Sequence, residues 1–216
     1  MKISPDARSN HVEPLPPVIK EKRVVVYSKS ARRVLRVEDG WLVGLDAGEF
    51  GGGLWWFNSD GGDGKLLSND RVVGFAEGPK GVLVLTGIAH LGVDHGEVLL
   101  VKGGAGVGRS VEPLADLGAA PRAFVAETGD SLLVMTTRAL VRVKSSGAVE
   151  RLMNTNYGML YANSMTLSPS GVIHVGMRHF ITRLTPSADG YKEEWFVPAS
   201  CPSFSIRDFD CVCARR

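Results

Sequence analysis

The feature that most constrains the fold is an apolar segment of strand length that recurs four times along the chain. Each copy follows a turn residue, and the copies begin at Asp39 (DGWLVGLD), Lys80 (KGVLVLTG), Asp130 (DSLLVMTT) and Ser170 (SGVIHVGM). The starts lie about 40 to 50 residues apart, which is the spacing of a repeated supersecondary unit. The sequence therefore predicts an array of similar units.

Each repeated segment is followed by a second apolar strand and then by a turn rich in Gly, Ser and Asp. A third apolar piece precedes the repeated segment in most units. The second strands begin at Leu54, Val98, Leu140 and Phe180, and the preceding pieces at Arg71, Arg122 and Ser164. With 26 Gly and 11 Pro residues, the composition favours short strands joined by turns. The predicted unit has three or four antiparallel strands, and the fold class is all-β.

The phrases LSPSGVIHVGMRHFITRL and AETGDSLLVMTTRALVRVKSSGAVERL resemble the blade repeats of NHL-like and sensor-type β-propellers. The resemblance covers roughly residues 38 to 197. It implies a small β-propeller-like array of four to five antiparallel blades, and it implies no reaction. An irregular sandwich or barrel built from hairpins of similar length is the alternative fold.

The two ends of the chain are expected to close the ring. The segment KRVVVYSKSARRVLRV (22–37) is interpreted as two further strands around the turn SKSA, and EEWFVP and PSFSI supply further strands to it, giving a fifth blade. Four blades is the second arrangement. Residues 1–20 are Pro-rich and polar, so they are expected to be an extended or disordered arm before a single domain, 21–216.

Charge and hydropathy exclude several functional classes. The chain has 25 Lys plus Arg against 23 Asp plus Glu, a formal charge of +2, so no strong field favours nucleic acid or an anionic membrane. No apolar stretch is long enough for a membrane helix, and the N-terminus lacks the apolar core of a signal peptide. The expected location is cytoplasmic, or periplasmic or secreted if a leader has been removed.

The cysteines are confined to the last sixteen residues, at Cys201, Cys211 and Cys213. Free thiols, or one bridge that pins the tail, are expected. Zinc is disfavoured because the C-x-C spacing differs from the usual C-x-x-C knuckle. The sequence predicts no cofactor and no metal.

In the stretch GEFGGGLWWF (48–57), three consecutive glycines are followed closely by two adjacent tryptophans. Gly51–Gly53 are predicted to lie in the loop between the second and third strands of a blade, where they allow a positive φ or the close approach of another backbone. Trp55 and Trp56 then point to opposite faces of the third strand. Packing between blades is the expected role of both, and a stacking platform for a sugar or peptide is the alternative.

Loops of that same type must emerge at one end of a propeller, so they are expected to gather polar side chains on one surface. This surface is the predicted binding site, with no catalytic residue assigned. Its members are Asp46, Glu49, Phe50, His90, Asp94, His95, Glu97, Arg138, Arg178 and His179.

Three glycine-rich stretches contain residue types that bind ions, but none has the required spacing. HLGVDHGE (90–97) lacks the helical H-E-x-x-H of zinc proteases, NSDGGDGK (58–65) lacks the EF-hand register, and KGGAGVGR (102–109) lacks the final Gly-Lys-Ser/Thr of a phosphate loop. Turns are the expected structures. A G-x-S-x-G nucleophile elbow is also missing from the sequence.

Three functions remain open. The favoured one is a non-catalytic binding protein that holds a protein partner on the loop surface, as an inhibitor or immunity-type protein would. The alternative is a carbohydrate-active enzyme, a glycoside hydrolase or lyase acting on a small glycan, with Asp46, Glu49, Asp94 and Glu97 as acids and bases. A sensor domain of a larger signalling protein is the weakest. Neither a nucleic-acid nor a membrane partner is expected.

Overall fold

The computed structural model describes residues 31–62, 64–104 and 108–197. Within these ranges the chain forms four sheets, each of four antiparallel strands that are hydrogen-bonded in sequence order. One turn of 3-10 helix, Gly48–Phe50, interrupts the strands. The prediction of an all-β array of units with three or four antiparallel strands is confirmed, and each described unit has four.

The first two sheets take up residues 31–116. Their strands are β1 (Ala31–Val37), β2 (Gly40–Asp46), β3 (Gly52–Phe57), β4 (Lys65–Ser68), β5 (Val72–Gly78), β6 (Gly81–His90), β7 (Val93–Lys102) and β8 (Ser110–Asp116).

The third and fourth sheets take up residues 121–196. Their strands are β9 (Pro121–Glu127), β10 (Ser131–Thr136), β11 (Ala139–Lys144), β12 (Val149–Asn154), β13 (Ser164–Leu167), β14 (Ile173–Gly176), β15 (Ile181–Ser187) and β16 (Gly190–Phe196).

The sheets follow one another like the blades of a propeller. The first strands of neighbouring sheets pack together, β1 on β5, β5 on β9 and β9 on β13, whereas the fourth strands meet as β4 with β8 and β12 with β16. The first strand of each sheet is therefore the innermost. Among the described residues, no packing of comparable extent joins the fourth sheet to the first.

Alternation along the strands explains why the sheets stack. Leu42 and Trp56 face one another across β2 and β3, and so do their neighbours Val43 and Trp55 on the opposite face. Because successive side chains point to opposite faces, each inner sheet contributes to two apolar layers. The layer between the first and second sheets contains Leu42, Leu54, Val72, Val84, Leu99 and Val101.

The ends of the array differ from the sequence interpretation. The segment ARRVLRV is β1 and pairs with β2 as the innermost strand of the first sheet, while EEWF belongs to β16 of the fourth. Both segments were expected in a fifth, ring-closing blade. They belong to the first and fourth sheets because each completes a four-stranded unit. The rest of the proposed fifth blade, the N-terminal arm and the three cysteines lie outside the described residues.

The tryptophan prediction is confirmed, whereas the loop position predicted for the glycines holds only for Gly51: Gly52 and Gly53 begin β3 and pair with Asp46 and Leu45 of β2. Trp55 packs in the apolar cluster on one face of the first sheet and is only 8% exposed, whereas Trp56 packs in the layer toward the second sheet. Gly51 has a φ of 110°. A Cβ on Gly52 would lie 2.6 Å from the backbone Cα of Arg71. Gly51 thus allows a positive φ, and Gly52 allows the close approach of another backbone segment.

The stretch NSDGGDGK forms the turn between β3 and β4, as predicted. The Gly61 amide donates to the Asn58 carbonyl at 3.0 Å, and the Gly62 amide donates to Asp60 Oδ1 at 2.9 Å. Asp63 and residues 105–107 of the KGGAGVGR stretch lie outside the described ranges.

The described part of the chain contains no helix with the length and apolarity required to cross a membrane.

Candidate functional site

Two classes of loop meet at one end of the array. The turns between the second and third strands of each sheet lie beside the connectors that lead from one sheet to the next. Backbone hydrogen bonds join turns to connectors: the Thr137 amide donates to the Ala120 carbonyl at 3.0 Å, and the Thr155 amide donates to the Arg138 carbonyl at 2.8 Å. The Gly87 amide of β6 likewise donates to the Arg71 carbonyl of the first connector at 3.1 Å. We call this surface the loop face: residues 46–52, 69–71, 90–97, 117–120, 137–138, 155–163 and 177–180.

The connectors were not part of the sequence prediction, which considered only the turns within sheets. Each connector leaves the outermost strand of one sheet and returns to the innermost strand of the next, at the end where the turns emerge. They contribute Asp70, Met159 and Tyr161 to the loop face. The sequence contains a signal for this, because the longest connector, TNYGMLYAN (155–163), carries apolar and aromatic residues outside any strand pattern.

The stretch from His90 to Glu97, predicted as a turn within the loop surface, is mostly strand and forms one end of a β-hairpin. His90 ends β6 and pairs with Val93, so Leu91 and Gly92 alone make the turn. Gly92 and Gly96 interrupt the alternation of side chains that would otherwise have indicated strands in this stretch of the sequence. Gly96 is required within β7 because a Cβ there would lie 2.4 Å from Cδ of Pro121 in the third sheet. His90, Asp94 and His95 are therefore held on strands.

Asp94 is the most heavily bonded acid of the loop face. Its Oδ1 accepts a hydrogen bond from the Ala120 amide at 2.8 Å, and the Thr137 hydroxyl lies 2.8 Å from its Oδ2. Arg138 Nε donates to Oδ2 at 2.7 Å. Burial raises the pKa of Asp94, but these hydrogen bonds and the Arg138 charge outweigh it, so the pKa is lowered. Asp94 is an ionised structural anchor.

Glu49 and His90 join the first two sheets. Glu49 lies in the 3-10 helix, and its Oε2 is 2.7 Å from Nε2 of His90 at the end of β6. Asp46 Oδ1 accepts a hydrogen bond from the Gly48 amide at 2.9 Å, which shapes the entry to that helix. Arg71 of the first connector donates to the Gly48 carbonyl.

Burial and neighbouring charges raise the pKa of Glu97, an acid of the predicted site, above its usual value. Burial is the main cause of this pKa shift, and the negative charges of Asp70 and Asp116 raise the pKa further, while His95 lowers it. Glu97 pairs with Asp116 across β7 and β8. Within the described ranges, no group of three His, Cys, Asp or Glu side chains is arranged to hold a metal ion.

Arg178 and His179 lie in the turn before β15, as expected. The guanidinium of Arg178 stands over the Tyr161 ring at 5.3 Å from its centroid, a cation–π contact. The Arg178 amide donates to the Leu160 carbonyl at 3.2 Å. His179 is half-buried. The last connector and the last turn thus form one local structure.

Exposed apolar side chains are a further property of the loop face. Phe50 is 77% exposed, Leu91 88% and Met159 80%, and Val93 and Tyr161 are exposed as well. Leu91 and Tyr161 also have positive φ angles of 45° and 51°, a conformation that costs a non-glycine residue energy. Of these five residues, only Phe50 was predicted from the sequence.

Comparisons with known proteins place the chain by fold. Neither family models nor curated proteins match it. Several solved structures are similar to it in fold. Virginiamycin B lyase from Staphylococcus aureus superposes with a TM-score of 0.51 at 13% identity, over 78% of this chain and 56% of the lyase chain. The chain therefore spans little more than half the length of that protein.

Two other structures have lower scores. A catalytically inactive variant of the same lyase with quinupristin gives a TM-score of 0.49 at 12% identity, covering 76% of this chain and 55% of that one. The extracellular domain of a hybrid two-component system from B. thetaiotaomicron gives 0.43 at 10% identity, covering 75% and 28%.

The chain folds as a β-propeller-like array. The predicted resemblance is confirmed at the level of the fold.

Proposed function

We propose that this protein is a non-catalytic binding module that holds a protein partner on its loop face. The observation that carries the proposal is the set of apolar side chains, Phe50, Leu91 and Met159, each more than three-quarters exposed on that face. Exposed apolar groups amid polar ones are typical of protein interaction sites. Two cationic side chains, Arg138 and Arg178, accompany them, and arginine is common at the energetic centre of interfaces.

The support beneath these side chains favours binding by a preformed surface. Asp94 fixes the second connector and the third turn through Ala120 and Thr137. The Glu49–His90 pair fixes the first turn against the second. A preformed surface loses less conformational entropy when a partner binds. Leu91 is held outward in a strained backbone conformation, which is a feature that clusters at functional sites.

Three of the four acidic side chains that the sequence suggested as catalytic acids or bases are engaged in structural contacts. Asp94 is held ionised by several donors, Glu49 pairs with His90, and Asp46 caps Gly48. Neither Trp55 nor Trp56 is a free stacking platform, because both pack in apolar layers. An identity of 13% supports a shared fold alone, so the lyase activity in the neighbour's name is not transferred.

One observation favours the alternative, a glycan-acting enzyme. The raised pKa of Glu97 is the property that a general acid requires. Hydrolysis and elimination assays on a panel of oligosaccharides, with Glu97→Gln beside the wild type, test it. Turnover that Glu97→Gln abolishes would favour the enzyme.

The binding proposal is tested by affinity capture with three versions of the full chain. The loop-face variant carries Phe50→Ser, Leu91→Ser and Met159→Ser. The control carries Val149→Ser, which changes an exposed apolar side chain at the start of β12, at the opposite end of the sheets from the loop face. Circular dichroism first establishes that all three are folded. The captured protein is identified by mass spectrometry, and cross-linking locates its contacts.

The proposal expects a stoichiometric partner that the wild type and the control retain and the loop-face variant loses. Its cross-links should fall within the loop face. A partner that all three versions retain, or cross-links confined to the opposite end of the sheets, would contradict the proposal.

A further inference from the structure

The two ends of the sheet array differ in chemistry. On the first sheet, the side chains that point away from the second sheet form an apolar cluster; its buried members are Trp41, Val43, Leu45, Trp55 and Phe57. Among the described residues, the partly buried hydrophobic side chains packed against this cluster are Val34 and Leu66, which belong to the same sheet. We call this surface the outer face of the first sheet.

The outer face of the first sheet is nevertheless shielded from solvent. Val43 is 0% exposed and Leu45 and Phe57 are each 1% exposed. The second sheet cannot supply this burial, because it packs on the opposite face, against Leu42 and Leu54. A single sheet does not bury its own face, so another layer must lie over it.

The fourth sheet does not supply that layer. Its face away from the third sheet carries His174, Arg183 and Glu194, which are aligned across β14, β15 and β16. Arg183 Nη2 and Glu194 Oε2 are 2.9 Å apart, and their side chains remain 38% and 33% exposed. Covering this pair with an apolar face would remove its charges from water at a large cost. The polar face resembles the solvent-facing cap of a repeat array.

We propose that the segment 18–30, VIKEKRVVVYSKS, is the layer that covers the outer face of the first sheet. It joins β1 directly and carries the apolar run Val24–Tyr27. Ten extended residues reach about 33 Å, whereas a four-stranded sheet is roughly 14 Å wide, so the segment can cross the whole face. The other segment beyond the described residues, 198–216, begins after the outermost strand of the fourth sheet, at the far end of the array.

This inference is independent of the proposed function because no residue of the outer face of the first sheet belongs to the loop face. It replaces the ring closed by both termini with a first sheet that is closed by its own N-terminal segment.

Cross-linking in the full chain tests the proposal. Cys201, Cys211 and Cys213 are first changed to Ser, so that introduced thiols are the only ones. Leu66→Cys on β4 is combined with Val25→Cys or with Val26→Cys; both are used because successive residues of a strand face opposite ways. A short bismaleimide tolerates small differences in register. The matched pairs are Leu66→Cys with Phe204→Cys, and Thr185→Cys on the fourth sheet with Val25→Cys.

The expected result is an intramolecular cross-link, identified by peptide mass spectrometry, between Leu66→Cys and one of the two valine positions. The matched pairs should give none. A cross-link from Phe204→Cys alone would assign the layer to the C-terminal segment, and a cross-linked dimer alone would assign it to a second copy. Either of these results, or no cross-link at all, overturns the proposal.

A stability measurement provides a second readout. Val25→Asp or Val26→Asp, whichever side chain faces the sheet, should lower the Tm by about 5 °C, since a buried charge has no partner there. Phe204→Asp should leave the Tm within about 1 °C of the wild type. The opposite ranking would assign the cover to the C-terminal segment and overturn the proposal.

Discussion

The hydroxyl of Thr137 lies 2.8 Å from Oδ2 and 2.9 Å from Oδ1 of Asp94, so the third sheet is bonded to the second at the loop face. The same carboxylate accepts hydrogen bonds from the Ala120 amide and the Arg138 guanidinium. One acid on β7 thereby fixes the connector that enters the third sheet and the turn within it. Loss of this carboxylate would loosen two neighbouring segments together.

Asp94→Asn should lower the free energy of unfolding by about 1–3 kcal/mol at neutral pH, because it removes a charge-assisted bond and leaves donors poorly matched. Urea denaturation provides the measurement. Asp46→Asn is the matched control: Asp46 bonds the Gly48 amide, which an amide oxygen still accepts, so its effect should stay within about 0.5 kcal/mol. Equal losses in the two variants would contradict the anchoring role of Asp94.

The same variant should change the response to acid. Because the pKa of Asp94 is lower in the folded protein, its stabilisation is present above the unfolded pKa, about 3.9, and is lost as pH falls through the folded value. The stability difference between wild type and Asp94→Asn should therefore shrink below about pH 4. A constant difference from pH 7 to pH 2 would refute the linkage.

Glu97→Gln should act in the opposite direction. The folded pKa of Glu97 is raised, so its contribution to stability is present below the unfolded pKa and is lost as pH rises through the folded value. At pH 7 the glutamine should raise the free energy of unfolding, by less than about 1 kcal/mol because solvent screens a half-buried carboxylate. Denaturation at pH 7 and pH 4 measures this change in the free energy of unfolding, with Glu77→Gln at an exposed position as the control. A loss of stability in Glu97→Gln at pH 7 would argue against a raised pKa of Glu97.

Gly96→Ala tests the close approach of the third sheet to β7. An added Cβ would lie 2.4 Å from Pro121 Cδ and 2.6 Å from the Ala119 carbonyl oxygen. Overpacking of this kind should lower the free energy of unfolding by about 1–3 kcal/mol. At Gly104 a Cβ would meet no atom within 4 Å, so Gly104→Ala is the matched control and should change stability by less than about 0.5 kcal/mol.

Much of the fold could be predicted from the sequence because each unit repeats the same alternation of turn and apolar run. The assignment of Trp55 and Trp56 to opposite faces followed from the two-residue period of a strand. The ends were harder to assign: ARRVLRV interrupts its apolar residues with arginines, and its register becomes evident only when Leu35 and Val37 face the second sheet.

The loop face could be predicted in part. Side chains from Asp46 to His179 lie at the expected end because turns of one type must emerge together. Their roles could not be predicted, since Asp94 depends on Thr137 and Ala120, which are distant in sequence. Leu91 was not selected because exposure of a leucine depends on a two-residue turn that only the pairing of His90 with Val93 defines.

Leu91→Asn separates stability from binding at that turn. Leu91 and Gly92 have φ angles of 45° and 85°, and Asn-Gly is the preferred pair where both central residues of a hairpin turn have positive φ. The variant should raise the free energy of unfolding by about 1 kcal/mol. If the loop face binds a protein, it should also weaken capture of that partner, since an 88% exposed apolar side chain is lost.

Asp130→Gly is the control for strain alone. Asp130 has a φ of 62° in the turn between β9 and β10, at the opposite end of the sheets from the loop face. Aspartate pays a smaller backbone cost than leucine at a positive φ, and glycine removes it, so stability should rise slightly while partner capture, measured by titration on immobilised protein, stays unchanged. If both variants gain stability and only Leu91→Asn loses the partner, the leucine is kept in a strained position for the contact that it makes. Equal capture by both variants would mean that Leu91 makes no such contact.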